Sequence, residues 1–244
     1  MNSTDEAAPL AVVTGAAHRL GKAIAVELAQ CGYVIGLHYH RSALAARETA
    51  DQLKEGGATV ELLQADLRDA AQVEGLFQHL DNLPYRLKVW VNSASVMDRG
   101  DLRTLAVDDW DATLALNLRA PWLCAREAAR RMEEGGVIIN LTDSGARKTW
   151  TSFAAYAVSK AGLETLTRLL AKTLAPKVRV NAVAPGFILP AEAQDKAEWV
   201  RLVERLPLRQ AGSPVDVAKT VRFLVENQYI TGETIVVDGG YQLV

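Results

Sequence analysis

Seven short apolar runs, separated by longer stretches with helical periodicity, are spread along this 244-residue chain. Short apolar runs are typical of strands buried on both faces, and the stretches between them are long enough to form crossover helices. This alternation predicts one α/β domain over residues 1–244, a doubly wound parallel sheet of about seven strands with helices on both faces. The predicted strands are Leu10–Thr14, Tyr33–Tyr39, Thr59–Gln64, Lys88–Val91, Val137–Leu141, Arg179–Val183 and Thr234–Val237.

Helices are predicted between these strands, and one further segment is inserted near the end of the chain. The insertion, from Phe187 to Leu206, lies between the sixth strand and Pro207 and is charged and helical in pattern. Its place after the carboxyl end of a strand suits a substrate lid over about residues 187–207, and a solvated surface helix is the alternative. The predicted helices are Gly21–Cys31, Ala43–Lys54, 70–80, 108–132, 153–174 and 214–225.

Composition and charge restrict the partners that we expect. The net charge is −2 with the two signs scattered, so no basic surface is expected to bind the phosphates of a nucleic acid. Residues 1–9 lack a signal-peptide pattern, and no apolar run reaches the ~20 residues that cross a bilayer. Cys31 and Cys124 are expected to be small buried hydrophobes in a reducing compartment. We therefore expect a cytoplasmic protein with no membrane partner, a small-molecule substrate and no metal.

A glycine turn directly after the first strand predicts a nucleotide site of the Rossmann type. Gly15 and Gly21 flank the turn, which lets backbone N–H groups and a helix N-terminus approach a pyrophosphate. Small residues end the fourth strand, as a ribose lying against the backbone requires. A glycine turn with a purely structural role is the alternative. The candidate cofactor residues in these two segments are Gly15, Leu20, Gly21, Asn92, Ala94 and Ser95.

The ends of the second and third strands indicate which dinucleotide binds. An NAD site places Asp or Glu about 20 residues after the glycines, to hold the ribose 2′-hydroxyl. Here His38 to Ser42 contain no carboxylate, and their guanidinium, imidazole and hydroxyl donors suit the 2′-phosphate of NADP(H). Arg41 could also be a solvated helix-start residue with Ser42 as its N-cap. Asp66, beside Leu67, would accept a hydrogen bond from the adenine amine or cap a helix that starts near Leu67.

Tyr156 and Lys160 are spaced by one turn of a predicted helix, so they lie on the same helix face. A cation there can lower the pKa of the phenol from ~10 toward the range of a proton donor, which favours hydride transfer from a nicotinamide cofactor. Asn117 precedes Pro121 by four residues in a predicted helix. Because proline has no N–H, the carbonyl of Asn117 loses its helical partner and can hold a water, and a simple kink is the alternative.

Asp143 lies thirteen positions before Tyr156, at the end of the fifth predicted strand. An ionised carboxylate cannot donate a hydrogen bond to a carbonyl oxygen. It suits a basic ring nitrogen, or acts as an acid if burial raises its pKa. The alternative is a strand-end Asp that caps the following turn. Ser144 is one residue out of register and would point away if the strand remains extended there.

These motifs resemble the short-chain dehydrogenase/reductase family along nearly the whole chain. The resemblance implies that Tyr156 protonates the substrate and that Lys160 holds the nicotinamide ribose and lowers the pKa of the tyrosine. It also implies that Asn117 binds a water leading to the lysine, and that the protein is a homotetramer or dimer. The matching segments are Gly15–Gly21, Asn92–Ser95, Asn117, Tyr156 with Lys160, Pro185–Gly186, Ile230–Gly232 and Val237–Gly240.

Asp143 replaces the usual serine of that family, and in this the chain resembles the pteridine reductases. The resemblance implies NADPH-dependent reduction of a dihydropterin-like ring, with Asp143 and Tyr156 delivering protons. Arg19 would reach the pyrophosphate and the pterin. The adenosine phosphate would be held by Tyr39, His40, Arg41 and Ser42, and the substrate by Arg19, Ser95, Met97, Asp143, Tyr156 and Phe187.

Met97 stands where those reductases commonly have an aromatic that stacks on the pterin. Methionine is apolar but cannot stack as a ring does, so Trp150, Phe187 or the lid would have to supply that face. A reductase of ketones or of 3-oxoacyl groups on a carrier is therefore a second hypothesis. A non-catalytic NADP-binding sensor is a third, and the intact Tyr156, Lys160 and Asn117 argue against it.

Overall fold

The computed structural model of the chain describes residues 7–190 and 195–244. Within them, seven strands form one parallel sheet in the order β3-β2-β1-β4-β5-β6-β7. The predicted doubly wound α/β sheet is therefore confirmed. The strands are β1 (Ala8–Val13), β2 (Val34–Tyr39), β3 (Val60–Gln64), β4 (Tyr85–Asn92), β5 (Gly136–Leu141), β6 (Val178–Pro185) and β7 (Thr234–Val237).

Helices cover both faces of the sheet because successive residues of a strand point to opposite sides. Ala11 and Val13 of β1 pack in one hydrophobic cluster with α1, α2 and α8, and Leu10 and Val12 pack in a second cluster with α3, α5 and α6. The helices are α1 (Arg19–Gln30), α2 (Ala43–Glu55), α3 (Ala70–Asp81), α4 (Val107–Leu114), α5 (Ala120–Arg131), α6 (Ala154–Leu174), α7 (Lys196–Glu204) and α8 (Pro214–Glu226).

The order of the strands changes direction between β1 and β4. Doubly wound sheets bind ligands in the crevice outside the carboxyl ends of the strands at this point. The glycine turn follows β1, and the loop of Asn92 to Ser95 follows β4. Both candidate nucleotide segments therefore lie at this switch point.

The single helix predicted over residues 108–132 is instead two α-helices joined by one π-helical turn over Ala115–Arg119. The N–H of Ala120 bonds to the carbonyl of Ala115, five residues back. Pro121 supplies no N–H to the helical ladder, so the hydrogen bonds must change register before it. The sequence predicted the interruption, and the structure shows that it takes the form of a π turn around Asn117.

The inserted segment before Pro207 contains α7, and residues 191–194 of the predicted lid lie outside the described residues. No residue of α7 is fully buried. Cys124 is buried as expected, but Cys31 is only partly buried because it lies just beyond the last turn of α1. No helix in the described part of the chain is long and apolar enough to span a membrane.

Candidate active site

Asp143 and Tyr156, thirteen residues apart in the chain, are in direct contact. The hydroxyl of Tyr156 donates a hydrogen bond to Oδ2 of Asp143 at 2.7 Å. Oδ1 of Asp143 accepts the N–H of Gly145 at 2.7 Å and so caps the 3₁₀ turn over Ser144–Arg147. Asp143 therefore caps a turn, as the alternative expected, and also faces the phenol, and its action on a substrate stays a prediction. The Ser144 hydroxyl is buried and has no hydrogen-bond partner among the residues described.

Burial and mutual contact set the protonation of this pair. Burial raises the pKa of Asp143, and the hydrogen bond from Tyr156 opposes that rise. Burial, together with the charge of Asp143, raises the pKa of Tyr156 well above its usual value. The prediction that the lysine lowers the pKa of the phenol is therefore wrong for this structure. The phenol keeps its proton at neutral pH and acts as a donor toward the carboxylate.

Lys160 is too far from the phenol to offset the adjacent carboxylate. Its ammonium lies 5.7 Å from the centroid of the Tyr156 ring and donates a hydrogen bond to the carbonyl of Leu141 at 2.7 Å. Burial lowers the pKa of Lys160 to about 8, although the charge of Asp143 works in the opposite direction. Lys160 is thus a buried base held at the end of β5, beside the candidate dyad of Asp143 and Tyr156.

The buried side chain of Asn117 fastens the loop after β4 to helix α6. Its Oδ1 accepts the N–H of Val96 at 3.0 Å and the hydroxyl of Ser95 at 3.1 Å. Its Nδ2 donates to the carbonyl of Val96 at 2.8 Å and to Oγ of Ser159 at 3.1 Å. Ser159 in turn donates to the carbonyl of Tyr156 at 2.7 Å. The water on the Asn117 carbonyl stays a prediction.

Sequence reasoning missed Ser159, although its position directly before Lys160 was a usable signal. Because α6 carries the catalytic candidates on a buried face, a polar residue on that face needs a partner. That partner is Asn117, 42 residues away in the chain. The link fixes the tyrosine helix relative to the loop that follows β4.

The glycine turn after β1 is packed so closely that side chains are excluded. Gly15 has φ +65°, and a Cβ there would lie 3.0 Å from the Cα of Ala94. A Cβ on Gly21 would lie 2.3 Å from the carbonyl oxygen of Gly15. The hydroxyl of Thr14 accepts the N–H of Ala94 at 3.0 Å and joins the turn to the loop after β4. Backbone thus forms the surface of this crevice.

His38 supports the glycine turn and is not available to a phosphate. Its Nδ1 accepts the N–H of Gly15 at 3.2 Å, and its Nε2 lies 3.1 Å from the carbonyl of Ala65. These partners assign the neutral ring with its hydrogen on Nε2. Burial lowers the pKa of His38 to about 4. His40, whose side chain is partly exposed, remains the candidate imidazole for the phosphate, and that role stays a prediction.

Asp66 does not cap a helix, which corrects one of the two alternatives for this residue. It holds Arg68 in a two-pronged ion pair, with Nη2 2.8 Å from Oδ2 and Nε 3.0 Å from Oδ1. The hydrogen bonds from Arg68 lower the pKa of Asp66 to about 2. Helix α3 begins at Ala70, as predicted, with Asp69 as its N-cap, and Leu67 is buried before it.

The donors after β2 are available to a ligand. The Arg41 side chain is exposed and makes no hydrogen bond or ion pair with any residue in 7–190 or 195–244. Ser42 is the N-cap residue of α2, but its hydroxyl makes no capping bond. Tyr39 ends β2 and is partly buried. His40 lies 3.7 Å from Asp66, measured from Nε2 to Oδ2.

Arg19 begins α1 in the left-handed region, with φ +54°. Its guanidinium donates to the carbonyl of Pro190 at 3.2 and 3.3 Å and to that of Leu189 at 3.5 Å. The residue thus connects the nucleotide turn to the segment predicted as a lid. Its contact with a pyrophosphate or a pterin stays a prediction.

The remaining substrate candidates, and the cofactor candidates Pro185 and Gly186, lie at or beyond the ends of β4, β5 and β6. Met97 is 45% exposed. Phe187 meets Tyr241 edge-on, with 4.9 Å between ring centroids. Pro185 is buried at the end of β6, and Gly186 donates its N–H to the carbonyl of Val237 at 2.9 Å. Trp150 donates to Tyr241. Tyr241 was not identified from the sequence, because no local pattern marks it.

The described ranges, 7–190 and 195–244, contain no group of three or more His, Cys, Asp or Glu side chains that could hold a metal ion.

Comparison with known proteins identifies relatives that cover almost all of the chain. Residues 15–242 match the family model described as enoyl-(acyl carrier protein) reductase. A 3-oxoacyl-[acyl-carrier-protein] reductase from Synechocystis sp. is 35% identical over 96% of each chain. The 3-oxoacyl-[acyl-carrier-protein] reductase FabG of Staphylococcus aureus is 32% identical over 94% of this chain and 96% of its own.

Two similar solved structures have another activity in their names. FolM alternative dihydrofolate reductase 1 from Brucella canis, complexed with NADP, superposes with a TM-score of 0.91 at 34% identity, covering 97% of this chain and 94% of its own. The FolM protein from Brucella suis, also in complex with NADP, has a TM-score of 0.91 at 35% identity, over 97% and 96% of the two chains.

Proposed function

This chain belongs to the short-chain dehydrogenase/reductase family, and we propose that it is an NADPH-dependent reductase of a dihydropterin-like ring. The observation that carries the proposal is the 2.7 Å hydrogen bond from the Tyr156 hydroxyl to the Asp143 carboxylate. Together these two groups form a coupled acid pair, in which burial helps the carboxyl group to hold a proton, and such a pair suits a ring containing basic nitrogens better than a simple ketone. The similarity to two structures named as alternative dihydrofolate reductases supports the same substrate class.

The residues of the crevice fit a phosphorylated dinucleotide. Side chains at Gly15 and Gly21 would clash with Ala94 and with the turn itself, so these glycines allow the tight turn that leads into the N-terminus of α1, where a pyrophosphate would bind. The carboxylate nearest the end of β2, Asp66, is held by Arg68. Arg41 and Ser42 are left to bind a 2′-phosphate, which favours NADP(H) over NAD(H).

NADPH supplies a hydride when it is bound. The chain itself supplies the proton, from the coupled pair of Tyr156 and Asp143. A substrate nitrogen within hydrogen-bond distance of the pair takes a proton from the phenol or from the protonated carboxyl group. Burial raises the pKa of Asp143, so the carboxyl group keeps its proton to a higher pH than an exposed Asp. Proton delivery from Asp143 therefore weakens as the pH rises through that pKa.

Lys160 has a positioning role in this proposal. It lies on the Tyr156 side of α6 and is fixed by the Leu141 carbonyl, from which an ammonium group could turn toward a nicotinamide ribose. Asn117 and Ser159 hold the loop after β4 and the helix α6 in register. These contacts preorganise the donor pair before substrate enters.

Reduction of ketones or of 3-oxoacyl groups on a carrier is the second candidate. The names of the relatives from Synechocystis and Staphylococcus aureus favour it. For a carbonyl substrate, Tyr156 alone would donate the proton, and an ionised Asp143 beside the developing alkoxide would raise the barrier through charge repulsion. A non-catalytic sensor is disfavoured, because all the relatives described above are named as reductases.

We also propose a homotetramer or dimer in the cytoplasm. Trp122 on α5 is 43% exposed, and Val158 and Leu169 on α6 are 47% and 60% exposed. Partly exposed apolar side chains on two adjacent helices suit contact with a second copy. Light scattering of the purified protein measures the number of subunits.

A substrate panel tests the proposed function. NADPH oxidation is followed with dihydrobiopterin, dihydrofolate, ethyl acetoacetate and an acetoacetyl thioester, and each rate is repeated with NADH. The proposal expects the highest kcat/KM with a dihydropterin and NADPH. A kcat/KM that is highest for the thioester, with no rate above background for either pterin compound, would contradict it and establish the second candidate.

A further inference from the structure

Three partly exposed aromatic rings, each in contact with the next, form a continuous wall. The first ring packs against Gly145, which is hydrogen-bonded to Asp143. The N–H of Gly145 donates to Asp143, and the Trp150 ring lies directly against Gly145, where a Cβ would be 2.3 Å from the ring atoms. Trp150 Nε1 donates to the hydroxyl of Tyr241 at 3.0 Å. Tyr241 then meets Phe187 edge-on at 4.9 Å between centroids and 88° between planes. The aromatic wall is Trp150, Tyr241 and Phe187.

Tyr241 is the central member of this wall, and the C-terminal segment that carries it is held firmly. The buried carboxylate of Asp238 accepts the N–H of Gly240 at 2.8 Å and that of Gln242 at 2.9 Å. The ammonium of Lys148 lies 4.1 Å from the centroid of the Tyr241 ring and also bonds to the carbonyl of Val244. The ring is therefore fixed before any ligand arrives, which reduces the entropy lost on binding.

The aromatic wall connects three loops whose mutual contact is not needed to form the nucleotide site. Trp150 belongs to the loop after β5, Phe187 follows β6, and Tyr241 follows β7. Phe187 also contacts Trp199 of α7, with 5.4 Å between ring centroids. Rings on three loops at the carboxyl edge of the sheet thus lie next to the turn that Asp143 caps. Such rings offer a rigid apolar surface to a flat conjugated ring.

We infer that Tyr241 is a specificity-determining residue that selects substrates with a flat conjugated ring over open-chain substrates. The inference deepens the proposed function. It rests on that function for the choice of a pterin as one such ring. The wall contributes to binding of the ring and not to hydride or proton transfer, so it acts through KM. Loss of one ring–ring contact of this kind weakens binding by up to about tenfold.

Steady-state kinetics of Tyr241→Leu and Tyr241→Phe test this inference against a matched control. The control is Tyr229→Leu, because Tyr229 is fully exposed and lies on the loop before β7. Each protein is assayed with NADPH and three substrates: dihydrobiopterin, the flat carbonyl compound phenanthrenequinone, and the open-chain ethyl acetoacetate. Thermal unfolding and the KM for NADPH show whether each variant is folded and binds cofactor.

In Tyr241→Leu, the KM for the flat-ring substrates should rise about tenfold, while kcat/KM for ethyl acetoacetate changes by less than about twofold. Tyr241→Phe keeps the ring and should retain most of the preference, and the Tyr229→Leu control should match the wild type. Equal losses for ring and open-chain substrates in Tyr241→Leu, or no loss for either, would overturn the inference. So would a wild-type protein that reduces neither flat-ring compound.

Failure of the proposed function gives a different result. A wild-type protein that reduces phenanthrenequinone but not dihydrobiopterin would contradict the pterin substrate alone. The ratio of kcat/KM for the quinone to that for ethyl acetoacetate would then still report on Tyr241.

Discussion

Replacing Lys160 with methionine should stabilise the protein at neutral pH, and the gain should disappear as the pH rises. Burial lowers the pKa of Lys160 from 10.5 to about 8. A group whose pKa is lowered on folding costs stability as the pH falls from the unfolded value to the folded value, because the unfolded chain takes up a proton there that the buried amine does not yet bind. Below pH 8, the folded protein therefore holds a poorly solvated ammonium that methionine, of similar length, would not carry.

The pKa shift sets the size of the effect. At about 1.36 kcal/mol per pKa unit, the buried ammonium costs about 3 kcal/mol at pH 7. Lys160→Met also removes the hydrogen bond to the Leu141 carbonyl, a loss of about 1 kcal/mol. The net gain in the free energy of unfolding is about 2 kcal/mol at pH 7. Between pH 7 and 9.5, the wild type regains about 2 kcal/mol, so the two proteins converge.

Urea unfolding of cofactor-free protein at pH 7, 8, 9 and 9.5 measures this difference. Lys172→Met is the matched control, because Lys172 lies on the same helix but is exposed, and its difference from the wild type should stay constant with pH. A difference for Lys160→Met that is independent of pH would refute the reasoning. Lys160→Met should also abolish NADPH oxidation, so the stabilised protein would be inactive.

Two further predictions concern the cofactor and the loop after β4. Arg41→Ala should raise the KM for NADPH by about tenfold or more and leave the KM for NADH unchanged, because it removes a free donor near the 2′-phosphate. The control is Arg47→Ala, at an exposed position on α2. Equal effects of Arg41→Ala on both cofactors would count against the assignment. Asn117→Ala should lower the free energy of unfolding, measured in urea, by about 2–3 kcal/mol, because it leaves the N–H and the carbonyl of Val96 without partners. An unchanged midpoint of urea unfolding would mean that water replaces the lost side-chain partners.

The sequence was sufficient for the features that depend on local spacing. The seven strands follow from short apolar runs, and the shared face of Tyr156 and Lys160 follows from a separation of one helical turn. The break before Pro121 was also predictable, because a missing N–H has a fixed consequence for the helical ladder. These signals need no knowledge of which distant segments meet.

The features that the sequence did not reveal depend on contacts through space. Tyr241 and Trp150 are 91 residues apart, and only the arrangement of three loops brings them together. By residue type alone, His38 is indistinguishable from a phosphate donor. In the structure it is buried beside Gly15 and supports the glycine turn. The effect of Lys160 on the pKa of the Tyr156 phenol was misjudged. Residue spacing shows which side chains share a helix face, but it does not show that the nearest charged neighbour of Tyr156 is Asp143.

The Asp143→Ser variant provides the most direct test of the account. It replaces the partner of the Tyr156 phenol with a neutral hydroxyl while leaving the residues assigned to the cofactor in place. The ratio of kcat/KM for dihydrobiopterin to that for ethyl acetoacetate is measured in the wild type and the variant. If a phenol and a carboxyl group deliver protons together to a ring nitrogen, this ratio falls by about a hundredfold or more, with ketone reduction retained or improved. A ratio that does not change would contradict the claim that Asp143 selects the chemistry of this site.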